Sequence, residues 1–188
     1  MNMSQWRSSV LDSKIKKPMP VLSYPGIQKL GVTVRELIGD SSLMAECMAS
    51  VAAEVNLLAS VSFMDLSVEA ECFGCEAIVT DYEVPAIGAP IVSSLEDAEG
   101  LRVPAVGYGR TGVCLDAIEK AKKLITDRPV FAGCIGPFSL AGRLIGVSEA
   151  MIYCYEEPEI LEIVLQKCTE FITAYIKEFK RRGADGII

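Results

Sequence analysis

Leu57-Leu-Ala-Ser-Val-Ser-Phe-Met64, followed at once by Asp65, is the stretch that decides the fold. Its eight residues are apolar or small, carry no charge and do not alternate. Such a run reads as a strand covered on both faces, as in parallel sheets. Upstream, Asp40-Ser41-Ser42 offers helix caps, and Leu43, Cys47, Val51 and Val55 recur every four residues, which predicts an amphipathic helix. Pro18 to Tyr24 is a short apolar run closed by Pro25-Gly26, read as the first strand. Downstream, a short helix over 66–73 ends at Gly74, a longer one covers 113–125, and Val130 to Cys134 forms a third strand. Two short helices over 140–155 follow. A long helix then starts near Pro158, with Leu161, Val164, Cys168, Phe171, Tyr175 and Phe179 on its buried stripe. Gly183 ends it, and Ala184 to Ile188 opens a fourth strand.

Strand and helix thus alternate, which implies parallel strands joined by helical crossovers. No G-x-G-x-x-G follows the first strand and there is no P-loop, so nucleotide binding has no direct support. Four βα units fit an α/β fold that is the amino-terminal half of a (β/α)8 barrel, whose chemistry gathers at the carboxyl ends of the strands. Residues 1–188 then form one partial barrel domain. It has a helical lead-in over 1–17 and a Gly- and Pro-rich excursion over 76–110 with a hairpin between Ala77 and Val92. The chain stops inside the fourth strand, so the carboxyl-terminal half is expected to be absent.

The composition narrows the function. A formal charge of −7 argues against nucleic acid or an anionic membrane as the main partner, since both need a basic face. No window is apolar enough to span a bilayer, and no secretory leader is seen, so the expected location is the cytoplasm. Seven scattered cysteines read as reduced, buried thiols. With no histidine, the chain holds no Ser-His-Asp triad and no imidazole base or metal ligand.

The candidate site residues are those at strand ends. Asp65 can act as a general acid or anchor a ligand, or it can cap the helix opened by Asp65-Leu-Ser-Val68. Ser23 and Tyr24 end the first strand. Cys134, Gly136, Pro137 and Phe138 end the third, where glycine admits close approach and proline stiffens the turn. Arg143 stands among Leu140, Ala141, Leu144 and Ile145, and either snorkels to solvent or meets an anionic group. Cys72-Phe-Gly-Cys75 is a lone C-x-x-C, read as ordinary buried thiols.

Three segments carry a resemblance: Asp65-Leu-Ser-Val-Glu-Ala-Glu-Cys-Phe-Gly-Cys-Glu76, Gly136-Pro-Phe-Ser-Leu-Ala-Gly-Arg-Leu-Ile-Gly-Val-Ser-Glu-Ala150 and Lys180-Arg-Arg-Gly-Ala-Asp-Gly-Ile-Ile188. Together they resemble the uroporphyrinogen decarboxylase superfamily, most closely its methylcobamide:coenzyme M and related corrinoid-dependent methyltransferases. The resemblance implies a (β/α)8 barrel. It also puts Asp65 where the decarboxylases keep the aspartate that meets the pyrrole N–H groups of a tetrapyrrole. Those enzymes carry two arginines after the first strand, where Leu22 to Gln28 has Ser23 and Ile27 instead, and a tyrosine where this chain has Arg143. Without such bidentate clamps a polyanionic tetrapyrrole is poorly held.

The resemblance therefore implies methyl transfer between a corrinoid and a thiol. Decarboxylation of uroporphyrinogen and a non-catalytic half-barrel binding module are the alternatives. Zinc and a corrinoid are expected for the intact protein, with the zinc ligands in the other half and none bound by these residues. The expected partners are a corrinoid protein or a tetrapyrrole substrate. A half-barrel also exposes strand edges, so self-association or pairing with its other half is expected.

Overall fold

The computed structural model describes residues 2–188. Of the lead-in expected over 1–17, residue 1 lies outside the described residues. Helix α1 (Met3–Asp12) supplies the helical part, capped by the Asn2 side chain. Three helices follow: α2 (Gly26–Leu30), α3 (Val34–Gly39) and α4 (Ser41–Glu54). Asp40 caps α4, its Oδ1 accepting from the Ser42 and Leu43 N–H groups at 2.7 and 3.2 Å.

Then come β1 (Ser60–Val61), α5 (Val68–Cys72), β2 (Ala77–Ile78), β3 (Ala86–Ile87), α6 (Leu95–Gly100) and α7 (Arg110–Leu124). The chain continues through β4 (Val130–Ala132), α8 (Pro137–Ile145), α9 (Val147–Tyr153), α10 (Pro158–Arg181) and β5 (Gly186–Ile187).

Strands β1, β4 and β5 form one parallel sheet in that order, with Val61 opposite Phe131 and Ala132 opposite Ile187. Strands β2 and β3 form a separate antiparallel hairpin. The α/β architecture is that of a partial barrel, with crossover helices between parallel strands. Helices α4 and α7 pack on each other, as do α8 and α10. All six residues expected on the stripe of α10 are buried.

Two expectations need correction. Pro18 to Tyr24 forms no strand, and Tyr24 already stands in the turn before α2. The run's backbone bond to the segment leading into β1 goes from the Leu58 N–H to the Pro18 carbonyl, and Pro18 and Pro20 have no N–H to extend a ladder. The excursion over 76–110 also contains a helix, α6, which Ser94 starts by accepting from the Asp97 N–H.

Candidate functional site at the carboxyl end of the sheet

The chain leaves β1 through Ser62 to Met64 and reaches Asp65 in a tight turn. Asp65 Oδ1 accepts from the Ser67 N–H at 3.0 Å and from the Ser67 hydroxyl at 2.5 Å. Asp65 therefore shapes the entry to α5, as the capping alternative requires, although it stands before Ser67, which begins the helix. Its second oxygen, Oδ2, is paired with Arg110 Nη1. The Asp65 side chain is only 5% exposed and that of Arg110 13%. Arg110 also donates through Nε to Glu71 at 2.5 Å and through Nη2 to Ser67 Oγ at 2.7 Å.

The local sequence explains how Arg110 is aimed. It is the first residue of α7 and follows Gly107 and Gly109, whose φ values of +92° and +58° suit glycine. Thr111 locks the turn, donating to the Tyr108 carbonyl and accepting from the Gly107 N–H. Burial opposes the charge on Arg110, but Asp65 and Glu71 outweigh it and raise its pKa.

Glu69 is the second acidic group here. It is 3% exposed. Its Oε1 accepts from the Ile135 N–H at 3.2 Å, while Oε2 has no hydrogen-bond partner. Burial pushes its carboxyl pKa up against the opposing Ile135 N–H, and the Asp65 charge adds to the rise. Tyr24 Oη is also buried without a partner. Its ring meets Phe63 edge-on at 4.9 Å, and burial raises its pKa as well.

Tyr24, Asp65, Glu69 and Arg110, with Cys114 and Tyr175, line one small cavity of about 20 Å³. That is room for a single water. The Cys114 thiol is pushed up to about 12, mainly by burial, so it is no thiolate at neutral pH.

The other predicted residues are placed differently. Cys134 stands beside Glu69, and burial and that carboxyl push its thiol up to about 12. Ser23 is buried and its hydroxyl donates to the Val61 carbonyl at 2.6 Å, so it braces β1 and does not line the cavity. Gly136 is exposed and starts α8, Pro137 takes the first helical position, and Phe138 is 42% exposed. Arg143 lies on α8 with its Nε buried and unpartnered. None of these last four lines the cavity.

The close approach expected of the Gly133 to Gly136 loop is to the neighbouring strand. A Cβ on Gly133 would press on the Phe63 carbonyl at 3.2 Å and on the Met64 side chain. Cys72 and Cys75 are both free and buried, with thiol pKa values raised by burial.

Reading the sequence missed Arg110, Glu69 and Glu71. Glu69 carried a usable signal, since it is a carboxylate within the otherwise buried run Val68-Glu-Ala70. Arg110 carried none, because its approach to Asp65 is purely tertiary. Among the described residues, no three His, Cys, Asp or Glu side chains gather so as to hold a metal ion. Nor, among them, is any helix long and apolar enough to cross a membrane.

The family described as uroporphyrinogen decarboxylase (URO-D) matches residues 20–188. The methylcobamide:CoM methyltransferase MtbA of Methanosarcina acetivorans is 34% identical over 126 residues, which is 65% of this chain and 37% of that protein. A uroporphyrinogen decarboxylase of Campylobacter jejuni is 26% identical over 198 aligned residues, 94% of this chain and 57% of the relative. A solved methyltransferase from Methanosarcina mazei superposes with a TM-score of 0.81 at 27% identity, covering 96% of this chain and 56% of its own. The chain thus spans about half the length of the relatives it matches, or less.

Proposed function

This chain belongs to the uroporphyrinogen decarboxylase family, and from that membership we propose that it is the amino-terminal part of an enzyme moving a methyl group between a corrinoid and a thiol. The observation that carries the reading is the electrostatics of the strand-end site. Arg110, the arginine lining the cavity, is already held by Asp65, Glu71 and Ser67. Residues Leu22 to Gln28 supply no other. A substrate bearing many carboxylates would find no free guanidinium in the cavity, since the unpartnered Arg143 on α8 does not line it, whereas a thiol and a methyl group require none.

The residues present do not fit a zinc site, so no step is routed through zinc, and its ligands are proposed to lie outside these 188 residues. What this part of the chain does is bind and orient. The Asp65–Arg110 pair fixes the wall where β1 ends, and the buried thiols and tyrosines keep that wall neutral. A thiol that accepts a methyl group gives up its proton, and the corrinoid substrate keeps the electron pair of the broken carbon–cobalt bond.

Decarboxylation of uroporphyrinogen is the second reading, supported by the longer alignment to the Campylobacter jejuni decarboxylase and by the position of Asp65. Asp65→Asn in the full-length protein separates the two. Under the methyl-transfer reading it lowers kcat for thiol-dependent demethylation of methylcobalamin and releases no carbon dioxide. Carbon dioxide release from uroporphyrinogen by the unmodified protein, lost on Asp65→Asn, would favour the decarboxylase.

A further inference from the structure

We infer that Glu69 and Tyr24 form an inner subsite that receives one neutral hydrogen-bond acceptor, a water at rest and a carbonyl-type oxygen or thioether sulfur of a ligand when one is bound. The two residues line the same cavity, and each has a buried oxygen, Glu69 Oε2 and Tyr24 Oη, without a hydrogen-bond partner. A buried polar atom left unpaired is costly, so a partner that fills the cavity is favoured.

The chemistry of that partner follows from what surrounds it. Glu69 faces Asp65, whose own charge is committed to Arg110, and no cation of the cavity is left over to neutralise it. Burial and the neighbouring Asp65 charge both favour the protonated carboxyl, the form that offers an O–H donor. Tyr24 is likewise a neutral O–H donor. Of the remaining lining, Ile38, Met44, Met48, Phe63 and Val68 offer no hydrogen bonds, Cys114 offers a weak thiol, and the Ser62 and Tyr175 hydroxyls already donate to the Phe63 and Thr111 carbonyls.

Two neutral donors suit a neutral acceptor. An anion would instead face Asp65 and Glu69, with Arg110 as the counter-charge of the cavity, already paired to Asp65 and Glu71. The volume of about 20 Å³ admits one such atom and no more of the ligand. The inference goes beyond methyl transfer, since it concerns the inner end of the site and holds whichever group is transferred above it.

Formamide and formate provide a matched neutral and anionic pair of probes. Binding is read from the methyl carbon resonances of Met44 and Met48 in the 188-residue chain labelled at its methionines. Formamide is expected to shift both signals and to bind at least tenfold more tightly than formate. Tyr24→Phe is expected to weaken formamide about fivefold, the usual worth of one hydrogen bond. Glu69→Met should weaken it to a similar degree, whereas Glu69→Gln, which keeps an N–H donor, should stay within about twofold of the parent. Formate binding as tightly as formamide would overturn the inference. So would unchanged formamide affinity in Tyr24→Phe, or a loss in Glu69→Gln equal to that in Glu69→Met. Should Glu69→Met fail to fold, Tyr24→Phe and Glu69→Gln decide the matter alone.

Discussion

Arg110 reaches back across the carboxyl end of the sheet to pair with Asp65, joining the first turn of α7 to the exit of β1. The pair lies in a largely buried setting, where removing one partner strands the charge of the other. Arg110→Met should therefore destabilise the chain by about 3 kcal/mol. Asp65→Asn made together with it should recover a good part of that loss, because the stranded carboxylate is gone. Urea unfolding of the two single variants and the double variant measures the coupling, and strictly additive effects would contradict a functioning pair.

Glu69 makes stability depend on pH in a defined direction. In the unfolded chain a glutamate titrates near about 4.3, whereas in the folded chain burial raises its pKa. The folded state then holds the proton longer than the unfolded state. Below the unfolded value this costs nothing, and stability falls as pH rises from there until the native carboxyl ionises. Glu69→Gln removes the titration. Its stability advantage over the parent should be smallest near pH 4 and grow toward neutrality, measured by thermal melts across that range. A difference independent of pH would show that Glu69 is not held in its acid form.

Gly26 marks the closest approach of α2 to α4. A Cβ there would lie 2.7 Å from the Cys47 carbonyl oxygen and 2.9 Å from Ser50 Oγ. Because one of those atoms is backbone, the helices must part to admit it. Gly26→Ala should cost about 1–3 kcal/mol, the range for overpacking a filled interior. A variant melting with the parent would show that α2 adjusts freely.

These groups were unequally legible in the sequence. The helices could be read because their caps and periodicities are local. Asp40 before α4, Gly74 after α5, and Pro158 with Gly183 around α10 all act on their nearest neighbours. The strands were harder to bound, because each is only two or three residues long. Pro18 to Tyr24 has the hydrophobicity of a strand, but Pro18 and Pro20 lack the N–H groups a ladder needs. At the site, Asp65 was legible from its position after an apolar run. Arg110 was not, since forty-five residues separate it from Asp65 and the turn that aims it depends on Gly107 and Gly109 rather than on any motif. Ser23 shows the reverse case: its position at the end of a strand-like run suggests a ligand contact, but its hydroxyl is committed to Val61.

The sheet order leaves β5 with a neighbour on one side only among the described residues. An unpaired edge of this kind invites pairing with another strand. We expect the 188-residue chain to self-associate at micromolar concentration, measured by light scattering after gel filtration. A stable monomer over that range would contradict the expectation.

The central claim is that this chain serves methyl transfer rather than decarboxylation, and product analysis on the full-length protein tests it most directly. The protein would be given methylcobalamin carrying a labelled methyl group with coenzyme M as the thiol, and in parallel uroporphyrinogen carrying labelled carboxyl groups. The account predicts label in the S-methyl thioether and none in carbon dioxide. Labelled carbon dioxide with no methylated thiol would contradict it.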